Sequence, residues 1–574
     1  MKIRHLEIRN FRGIKSLEWC LPDNQIITLI GKGDSCKTTI LEAIRLAFYP
    51  HWVLQLSDVD FFKVNIDDPI SIKVTLGDLP EEFLNMGKFG LHLRGWNPIE
   101  SRINDDPQQY EKELVVVDDE PVITVQLKVE SDLEPNWRVV TDRNPDGISF
   151  LLADRKRLNA TFIGAYSNRM LTWDAQSPLS KLTEEASVQS NLAKAARAAK
   201  GAFDANREDL DALDKAAAKV YELSKKLGVQ SSDLFRSHLD LGAINVKAGG
   251  ISLHEGDVPL RQLGLGSRRM LTCGLQAENL KSQHITLIDE LENGLEPHRI
   301  SRLLKHLKED PQGSYLLTTH SPIVLRELNF EELNIVHNEA GIVTIKNTAD
   351  KSPVDSKVQG TLRSHAEAFL CPKVIVCEGA TEVGFIRGMD DFYVSLNNES
   401  LSYHGVSYLD AASGSQVKPK AEVMHSLGYK VAAFVDSDDP KQFGDKHKKV
   451  LEEKDITVIM WDGAMALEQR LFLDLPWNSV IELLSFAKDD LGLNICANVE
   501  SKLGGRAPDN IKEWIDTEEY RKAVGDAAKS SSWFKNITLG EILGKKTTAQ
   551  FHEGNLKGTD THKKMEELRG FVAL

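Results

Sequence analysis

Cysteine is scarce in this chain, and the cysteines present form no recognisable pair. Six of them lie along 574 residues, at positions 20, 36, 273, 371, 377 and 496, without any C-x-x-C spacing. This pattern argues against a zinc ribbon or a disulfide scaffold and is typical of a reducing compartment. No apolar run approaches the length of a membrane span, and the first residues lack the apolar core of a signal peptide. We therefore expect a cytoplasmic protein with no membrane partner.

Positively charged residues are fewer than negatively charged ones. Lys and Arg number 70 against 85 Asp and Glu, which gives a formal net charge of −15. A protein that holds nucleic acid over its whole surface needs the opposite balance. A local basic track or bound divalent metal ions can still attract phosphate, so nucleic-acid chemistry is not excluded. The length alone predicts about two to four domains.

A glycine-rich turn near the N-terminus has the pattern of a P-loop. It follows the apolar stretch 25–30 and precedes a helix predicted over 38–49, the setting that a P-loop requires. The candidate nucleotide-binding residues are Gly31, Gly33, Asp34, Ser35, Cys36, Lys37, Thr38 and Thr39. In such a loop, backbone N–H groups cradle phosphates, Lys37 reaches the β and γ oxygens, and Thr38 binds Mg²⁺. Cys36 replaces the usual glycine and crowds the loop, so ATP binding is expected more firmly than hydrolysis.

Two further strand ends carry residues suited to ATP chemistry. The apolar stretch 285–288 ends in Asp289 and Glu290, which suit a metal ligand and a group that polarises the attacking water. The next apolar stretch, from 316, ends at His320. A glycine-rich segment before a helix can offer free N–H groups to a γ-phosphate. Its candidate residues are Gly264, Gly266 and Ser267.

In order and spacing, these motifs resemble the ATP-binding-cassette (ABC) ATPases of the structural-maintenance and DNA-repair type. The stretch Asn10-Phe11-Arg12-Gly13 is similar to the opening of that group. The resemblance implies that Gly264, Gly266 and Ser267 form the signature element, which completes the ATP site of a second subunit. It also implies ATP as cofactor and a dimer as the minimum assembly. The alternative is a degenerate ATPase fold that no longer binds nucleotide.

Acidic residues follow two apolar stretches in the C-terminal third. Stretch 373–377 ends in Glu378, and stretch 431–435 ends in Asp436 and Asp438. Because the carboxyl ends of strands in an open α/β sheet border the ligand-binding crevice, these side chains are expected to converge. Glu382 lies four residues beyond Glu378, and Glu468 begins a helix after the strand predicted over 456–461.

Converging carboxylates repel one another unless cations lie between them. Hard oxygens without histidine favour Mg²⁺ or Mn²⁺ over zinc. The expected metal ligands are Glu378, Glu382, Asp436, Asp438 and Glu468, besides Thr38 and Asp289 at the nucleotide site. Two metal ions held in this way can activate water and stabilise the leaving oxygen of a phosphodiester. Taken singly, each carboxylate could instead be a helix cap or lie in a solvated turn.

The pattern Glu378-Gly379…Glu382, followed by Asp436-x-Asp438, resembles the Toprim domain of topoisomerases, primases and certain nucleases. Placed after a repair-type ATPase, it resembles the overcoming-lysogenization-defect (OLD) family of nucleases. In that family a C-terminal lysine assists cleavage, and the resemblance implies Lys545 or Lys546 for this role, with Lys546 preferred. The expected fold class is α/β, with an ABC-type P-loop ATPase that carries a helical insertion, and a Rossmann-like Toprim domain after it.

These motifs divide the chain into five predicted segments. The ATPase is expected in two parts, 1–180 with a β-rich lobe and 241–350, separated by a helical insertion over 181–240. A linker over 351–371 leads to the Toprim nuclease domain over 372–574. Within the β-rich lobe, strands are predicted over 70–76, 113–117 and 122–129.

The helical insertion carries an apolar seam with seven-residue spacing, formed by Leu210, Leu213, Ala217, Val220 and Leu227. Packing on its own domain and pairing with a second subunit both explain such a seam. A homodimer or a tetramer built through the insertion is therefore open at this point.

The combined resemblance implies an ATP-binding, metal-dependent DNA endonuclease or nickase whose cleavage is regulated by nucleotide state. It further implies the effector role in a bacterial anti-phage defence system. The implied partners are DNA, further copies of the chain, and a helicase-like protein or a reverse transcriptase with its nucleic acid. One alternative is an ATP-driven DNA clamp or repair mediator without nuclease activity. The other is a topoisomerase-like enzyme, although nothing marks any of the ten tyrosines as its nucleophile.

Overall fold

The computed structural model describes residues 1–51, 53–112, 115–158, 160–164, 171, 179, 185–205, 211–227, 233–235, 237, 251–279, 283–348, 356–505 and 507–572. The strands are β1 (Lys2–Phe11), β2 (Ile14–Cys20), β3 (Ile26–Ile30), β4 (Ile70–Gly77), β5 (Arg94–Asn97), β6 (Arg102–Asn104), β7 (Gln109–Lys112), β8 (Val115–Asp118), β9 (Glu120–Val129), β10 (Pro135–Val140), β11 (Ile148–Ser149), β12 (Ala160–Ile163), β13 (His254–Glu255), β14 (Val258–Pro259), β15 (His284–Ile288), β16 (Gly313–Thr318), β17 (Leu333–Glu339), β18 (Ile342–Asn347), β19 (Lys373–Cys377), β20 (Val406–Asp410), β21 (Lys430–Val435) and β22 (Thr457–Met460).

The α-helices are α1 (Lys37–Ala47), α2 (Leu152–Arg157), α3 (Glu185–Ala205), α4 (Asp211–Lys226), α5 (Leu265–Asn279), α6 (Pro297–Lys308), α7 (Pro322–Glu327), α8 (Ser356–Ser364), α9 (Ala380–Ser395), α10 (Gly414–Ser426), α11 (Asp445–Glu452), α12 (Leu467–Asp474), α13 (Trp477–Asp489), α14 (Ile495–Leu503), α15 (Glu518–Ser530), α16 (Ile537–His552) and α17 (Asp560–Val572). Within the described residues, none of the helices has the length and apolar character of a membrane span.

The N-terminal part is built on one large mixed sheet, whose main path runs β11-β10-β9-β4-β1-β2-β18-β17-β3-β16-β15-β12. Strands β17, β3, β16, β15 and β12 are parallel to one another. Strands β1, β2, β4, β9 and β10 form the antiparallel half. Because β3, β15 and β16 are buried along their length, they read as continuous apolar runs in the sequence. The carboxyl ends of the parallel strands therefore share one edge, where a nucleotide site can form.

Most elements predicted from the sequence are confirmed, with shifted ends. The helix after the P-loop runs from Lys37 to Ala47 instead of 38–49. The strand predicted over 113–117 is β8, from Val115 to Asp118, and residues 113 and 114 lie outside the described part. The strands predicted over 70–76 and 122–129 are β4 and β9, each slightly longer than expected.

Two helices of the predicted insertion, α3 and α4, are among the described residues. On and just after α4, the side chains of Leu213, Val220 and Leu227 are 50–71% exposed, so this seam does not pack on the remainder of the described chain. Leu210, the first residue of the predicted seam, lies outside the described residues. Three residues of the predicted seam are therefore exposed within the described part of the chain, whereas Ala217 is partly buried.

The C-terminal part contains a parallel sheet of four strands in the order β20-β19-β21-β22. Strands β19 and β21 lie next to each other at its centre, with Lys373 opposite Lys430 and Cys377 opposite Phe434. Both are rich in valine, isoleucine and other apolar residues, and their interiors are fully buried. This pairing brings residues 378 and 436 to the same edge of the sheet.

One hydrophobic core joins the ATPase to the Toprim sheet. It continues from Leu303 and Val324 under α6 and α7 through Phe330 and Phe369 to Val431 of β21. The rings of Phe330 and Phe369 contact each other edge to face, with centroids 6.4 Å apart. Because the buried side chains are contiguous, a displacement of one part strains the packing of the other.

Helices α9 and α16 cross at glycines. A Cβ on Gly388 would lie 2.0 Å from the carbonyl oxygen of Glu541, and one on Gly544 would lie 2.0 Å from that of Phe385. At such distances only the hydrogen atom of a glycine fits at these two positions. The close crossing holds α9, which carries Glu382, firmly against the C-terminal helices.

The Gly544→Ala substitution tests this crossing. The added methyl group must push the two backbones apart, so we expect the free energy of unfolding to fall by about 2 kcal/mol or more. Gly570→Ala in α17 is the matched control, because no atom lies within 4 Å of its Cβ position. The control should be neutral or more stable by up to about 1 kcal/mol. Equal urea midpoints for the two variants would contradict the close crossing.

Candidate functional site

The P-loop connects β3 to α1 at the carboxyl edge of the large sheet. The Lys37 ammonium donates hydrogen bonds to the carbonyl oxygens of Gly31 and Lys32, at 3.0 and 2.8 Å, and to the Ser35 hydroxyl at 3.1 Å. Lys37 is only 5% exposed. Burial lowers its pKa to about 8, although the nearby charge of Asp34 acts in the opposite direction. The hydrogen-bond partners of this buried ammonium are all neutral, and a bound phosphate group would give it an anionic partner.

Cys36 takes the backbone conformation that the replaced glycine would take. Its φ is +72°, in the left-handed region, which costs a side-chain-bearing residue about 1 kcal/mol. Its sulfur accepts a hydrogen bond of 3.2 Å from the Asn338 amide and lies 2.8 Å from where a Cβ of Gly13 would stand. Contacts from two neighbouring segments thus hold the strained loop in the P-loop shape.

Asp289 lies beside the P-loop, as the sequence predicts. Its Oδ1 accepts hydrogen bonds from the hydroxyl groups of Thr38, at 3.0 Å, and Thr318, at 2.6 Å. A threonine after the P-loop lysine and an aspartate after a neighbouring strand can together hold Mg²⁺ of a nucleotide. Glu290 follows, exposed, with its backbone N–H bonded to the Thr318 hydroxyl at 2.8 Å.

His320 is placed at the same edge. Its pKa is lowered, first by desolvation and then by the charge of Lys37, while Glu292, Glu290 and Asp289 act in the opposite direction. Its backbone N–H donates to Glu292 Oε1 at 2.8 Å. The structure therefore brings His320, Lys37, Asp289 and Glu290 into one electrostatic environment.

The glycine-rich segment at the start of α5 packs against the turn that follows β15. A Cβ on Gly266 would lie 2.2 Å from the Gly294 carbonyl oxygen, whereas the Gly264 position is open. The Ser267 hydroxyl accepts a hydrogen bond of 3.1 Å from Arg299. Sequence reasoning missed Arg269, a buried residue that donates hydrogen bonds to the backbone oxygens of Asp289 and Glu290. No motif in the sequence marks Arg269, because its partners are backbone atoms twenty residues away.

A second site lies at the carboxyl edge of the Toprim sheet. Glu378 follows β19 and Asp436 follows β21, and the Asp436 backbone N–H donates to Glu378 Oε2 at 3.0 Å. Asp436 Oδ1 in turn accepts a hydrogen bond of 2.9 Å from the N–H of Leu467, at the start of α12. The backbone thus fixes both carboxylates next to the first turn of α12.

Glu382 and Glu468 complete a buried acidic group with these two. Their side chains are nearly inaccessible, with residue exposures of 4% and 1%. Burial raises the pKa of Glu382 to about 8, and the charges of Glu468 and Glu378 add to the effect. Burial also raises the pKa of Asp436 well above its usual value, with further contributions from Glu382, Glu378 and Glu468. The four carboxyl groups therefore share one pocket.

Lysines from the segment around α15 and α16 face this pocket. Lys529 forms an ion pair with Asp438, and Lys535 Nζ lies 3.9 Å from Glu468 Oε1. Burial acts to lower the pKa of Lys535, but the carboxylates of Glu468, Asp436 and Glu382 outweigh it, and the pKa is raised. The sequence predictions did not include Lys529 or Lys535, because neither belongs to a recognisable motif.

Lys545 and Lys546 lie on α16. Lys546 forms an ion pair with Glu482 of α13. The strongest cationic influence on Glu378 and Glu382 comes instead from Lys535. A role of Lys545 or Lys546 in cleavage stays a prediction, with Lys535 as a better-placed candidate.

The carboxylate oxygens of the pocket are the type of ligand that hard divalent cations prefer. Glu468 Oε1 is buried without a hydrogen-bond partner, and buried carboxylates need compensating positive charge. Among the residues that the structure describes, however, no group of three or more His, Cys, Asp or Glu side chains has the arrangement of a ready metal site. The side chains therefore have to turn before they can share a cation.

Two family models match the chain. The model described as "AAA domain, putative AbiEii toxin, Type IV TA system" matches residues 26–326, which include the P-loop, Asp289 and His320. The model described as "Overcoming lysogenization defect protein-like, TOPRIM domain" matches residues 369–438, which include Glu378 and Asp436. The second match ends before Glu468 and Lys535. The comparison with curated proteins finds no match.

Solved structures with a similar fold are heads of structural-maintenance-of-chromosomes (SMC) proteins. The SMC head domain from Thermotoga maritima is 13% identical, with 60% of this chain and 99% of that chain covered and a TM-score of 0.28. The Smc head domain of Pyrococcus furiosus, bound to the C-terminal domain of ScpA, is 12% identical, with coverages of 63% and 99% and a TM-score of 0.31. Similarity at this level supports no conclusion about the fold or function of this chain.

The predicted order of an ATPase and an OLD-type Toprim domain is confirmed, as is the α/β fold class. The first family model spans more than half of the 574 residues. The protein therefore belongs to this family of AAA ATPases, and its ATPase domain is followed by an OLD-like TOPRIM domain.

Proposed function

We propose that the protein is an ATP-binding, metal-dependent DNA endonuclease or nickase, with nucleotide state regulating cleavage. The observation that carries this proposal is the buried acidic pocket formed by Glu378, Glu382, Asp436 and Glu468 at the edge of the Toprim sheet. Buried carboxyl groups this close together are costly unless they are protonated or meet positive charge, and divalent cations would supply that charge.

The proposed metal ligands are Glu378, Glu382, Asp436, Asp438 and Glu468. Bound Mg²⁺ or Mn²⁺ would supply Lewis acidity toward a phosphodiester and a more acidic water molecule. The backbone N–H groups of Asp436 and Leu467 hold the carboxylates in place. Lys535, whose charge is stabilised by the same carboxylates, is suited to neutralise a phosphate oxygen at the mouth of the pocket.

The Asp436→Asn substitution tests the nuclease site. Loss of this buried ligand should weaken Mn²⁺ binding, measured by calorimetry, and slow plasmid cleavage by at least about 100-fold. The matched control is Asp489→Asn, an exposed aspartate at the end of α13. Cleavage at the wild-type rate in Asp436→Asn would exclude this pocket as the metal-dependent nuclease site, whereas no cleavage by the wild-type chain in Mg²⁺ or Mn²⁺ would favour the DNA clamp.

The nucleotide site supports the ATP-binding part of the proposal. Lys37, Thr38 and Asp289 lie together, and Gly266 and Ser267 begin a helix that can complete the site of a second subunit. The exposed apolar side chains on and after α4 offer one surface for such a pairing. We propose a homodimer or a tetramer with one nucleotide site for each chain.

The Lys37→Ala substitution should abolish binding of Mg-ATP, because the buried ammonium is the group that meets the phosphate charge. Lys32→Ala is the control, since Lys32 lies in the same loop with an exposed side chain. Calorimetry on both variants measures the effect. Wild-type affinity in Lys37→Ala, or no binding to the intact protein, would refute an ATP site.

The contact between the ATPase and the Toprim sheet supports regulation by nucleotide. A cavity of about 320 Å³ is lined on one side by the P-loop residues Gly31 to Ser35 and the end of β17. Gly428 and Tyr429, which precede β21, line the other side. His337 Nε2 lies 2.9 Å from the carbonyl oxygen of Leu427, in a hydrogen bond that joins the two parts.

Strand β21 extends from this cavity to the acidic pocket. Lys430, at its first position, donates its backbone N–H to Pro372 O at 3.1 Å, and Asp436 follows its last position. Its interior is buried in the common core, so the strand is held as a stiff element. A shift of the P-loop on nucleotide binding would therefore reach Asp436 through one short strand.

The Gly428→Ala substitution tests this path. Gly428 has φ +93°, and a Cβ would lie 2.6 Å from His337 Nε2, so the contact between the two parts must open. Typical allosteric coupling changes a rate or affinity by about 5- to 150-fold. We expect the ratio of the cleavage rates with and without ATP to approach one in this variant. ATP binding and nucleotide-free cleavage should remain.

The control is Gly558→Ala, with φ +87° and no atom within 4 Å of its Cβ position. It introduces the same backbone strain without touching the contact. An unchanged response to ATP in Gly428→Ala would exclude this path.

We further propose the role of an effector in bacterial anti-phage defence, in the cytoplasm. The two family descriptions, which name a toxin and a lysogenization defect, support this setting. A helicase-like partner or a reverse transcriptase with its nucleic acid fits an acidic chain that works on DNA. Relaxation of supercoils without free ends, in the same plasmid assay, would point instead to a topoisomerase-like enzyme.

A further inference from the structure

A strongly basic segment lies directly after the acidic strand end. Residues 441–449 contain four lysines, Lys441, Lys446, Lys448 and Lys449, and a single acidic residue, Asp445. The chain as a whole has a net charge of −15. Four lysines against one carboxylate give these nine residues a local excess of positive charge, which favours contact with phosphate.

The segment is firmly anchored. Phe443 is 1% exposed and its ring packs on that of His447, with centroids 5.6 Å apart. The Gly444 N–H donates to His447 Nδ1 at 3.1 Å, which fixes the start of α11. Asp439 accepts hydrogen bonds from the Lys441 N–H and the Gln442 amide, both at 3.1 Å. The lysines are therefore presented by a fixed loop and helix.

The segment borders the acidic pocket. The point where a Cβ of Gly414 would stand is 3.1 Å from Gln442 Cβ and 3.2 Å from Glu378 Oε1. Gln442 and Glu378 thus face each other across this glycine at the start of α10. A chain bound along residues 441–449 would pass the mouth of the pocket.

Three of the four lysines are free to bind a ligand, whereas Lys448 forms an ion pair with Glu452. Lys441, Lys446 and Lys449 are exposed, and within the described part of the chain none of them forms an ion pair. Lys446 and Lys449 are three residues apart on α11 and therefore share a face. By contrast, the neighbouring Lys418 and Lys454 are both paired with Glu422.

We propose that Lys441, Lys446 and Lys449 bind the phosphates of DNA beside the bond that is cut. This inference rests on the proposed nuclease function, which sets the direction of the bound DNA. The DNA would lie across Glu378 and Asp436. Lysine side chains of this kind contact the phosphates of the DNA backbone and do not distinguish one base sequence from another. The basic segment therefore sets affinity for DNA of any sequence.

The test is DNA binding by the full chain in EDTA, where cleavage cannot occur. The triple variant K441Q/K446Q/K449Q should bind a duplex about 10- to 100-fold more weakly at 0.1 M salt. The slope of log affinity against log salt should fall by about 3, one for each lost contact. The control K305Q/K502Q/K557Q removes three exposed lysines elsewhere and changes the net charge equally.

Each outcome decides one part of the proposal. Weaker binding and a smaller slope in the first triple variant alone would support the basic segment. Equal affinities and slopes in the two triple variants would overturn it. If the wild-type chain cuts no DNA in Mg²⁺ or Mn²⁺, the nuclease proposal fails. The binding result in EDTA then still decides whether the segment holds DNA.

Discussion

Carboxylates that share a buried pocket must take up protons, meet positive charge, or move apart. This constraint governs the C-terminal half of the molecule. The pairing of β19 with β21 brings Glu378 and Asp436 to one edge, and α9 and α12 add Glu382 and Glu468. The signs of this strain are the raised pKa values of Glu382 and Asp436, the nearby charge of Lys535, and an oxygen of Glu468 without a hydrogen-bond partner. Divalent cations would resolve it, which is why the proposed function centres on metal-dependent cleavage.

Besides their shared hydrophobic core, the two halves of the molecule meet around one cavity near the P-loop. The P-loop, the end of β17 and the turn before β21 line one cavity, and β21 leads from that cavity to Asp436. Glycine at 428 is required there by its positive φ and by the nearness of His337. The protein thus places its nucleotide site at one end of a buried strand and its acidic pocket at the other. Such an arrangement allows either site to influence the other, since coupling is reciprocal.

Residues whose role depends on local pattern could be predicted from the sequence. The P-loop, Asp289 and the strand ends at Glu378 and Asp436 each follow an apolar run, and strand ends determine their position. Lys535 and Arg269 could not be predicted, because their partners come from distant segments and no spacing marks them. A pair such as Lys545-Lys546 is conspicuous in sequence, yet Lys546 bonds to Glu482. The sequence predicts which residues lie at the edge of a sheet, but it does not predict which lysine or arginine side chain lies opposite them.

The most direct measurement is anomalous diffraction from a crystal of the whole chain soaked in Mn²⁺. We predict a manganese peak within coordination distance of oxygens from Glu378 and Asp436, with Glu382 or Glu468 turned toward it. A map without a peak in that pocket, with the four carboxyl groups in unchanged positions, would contradict it.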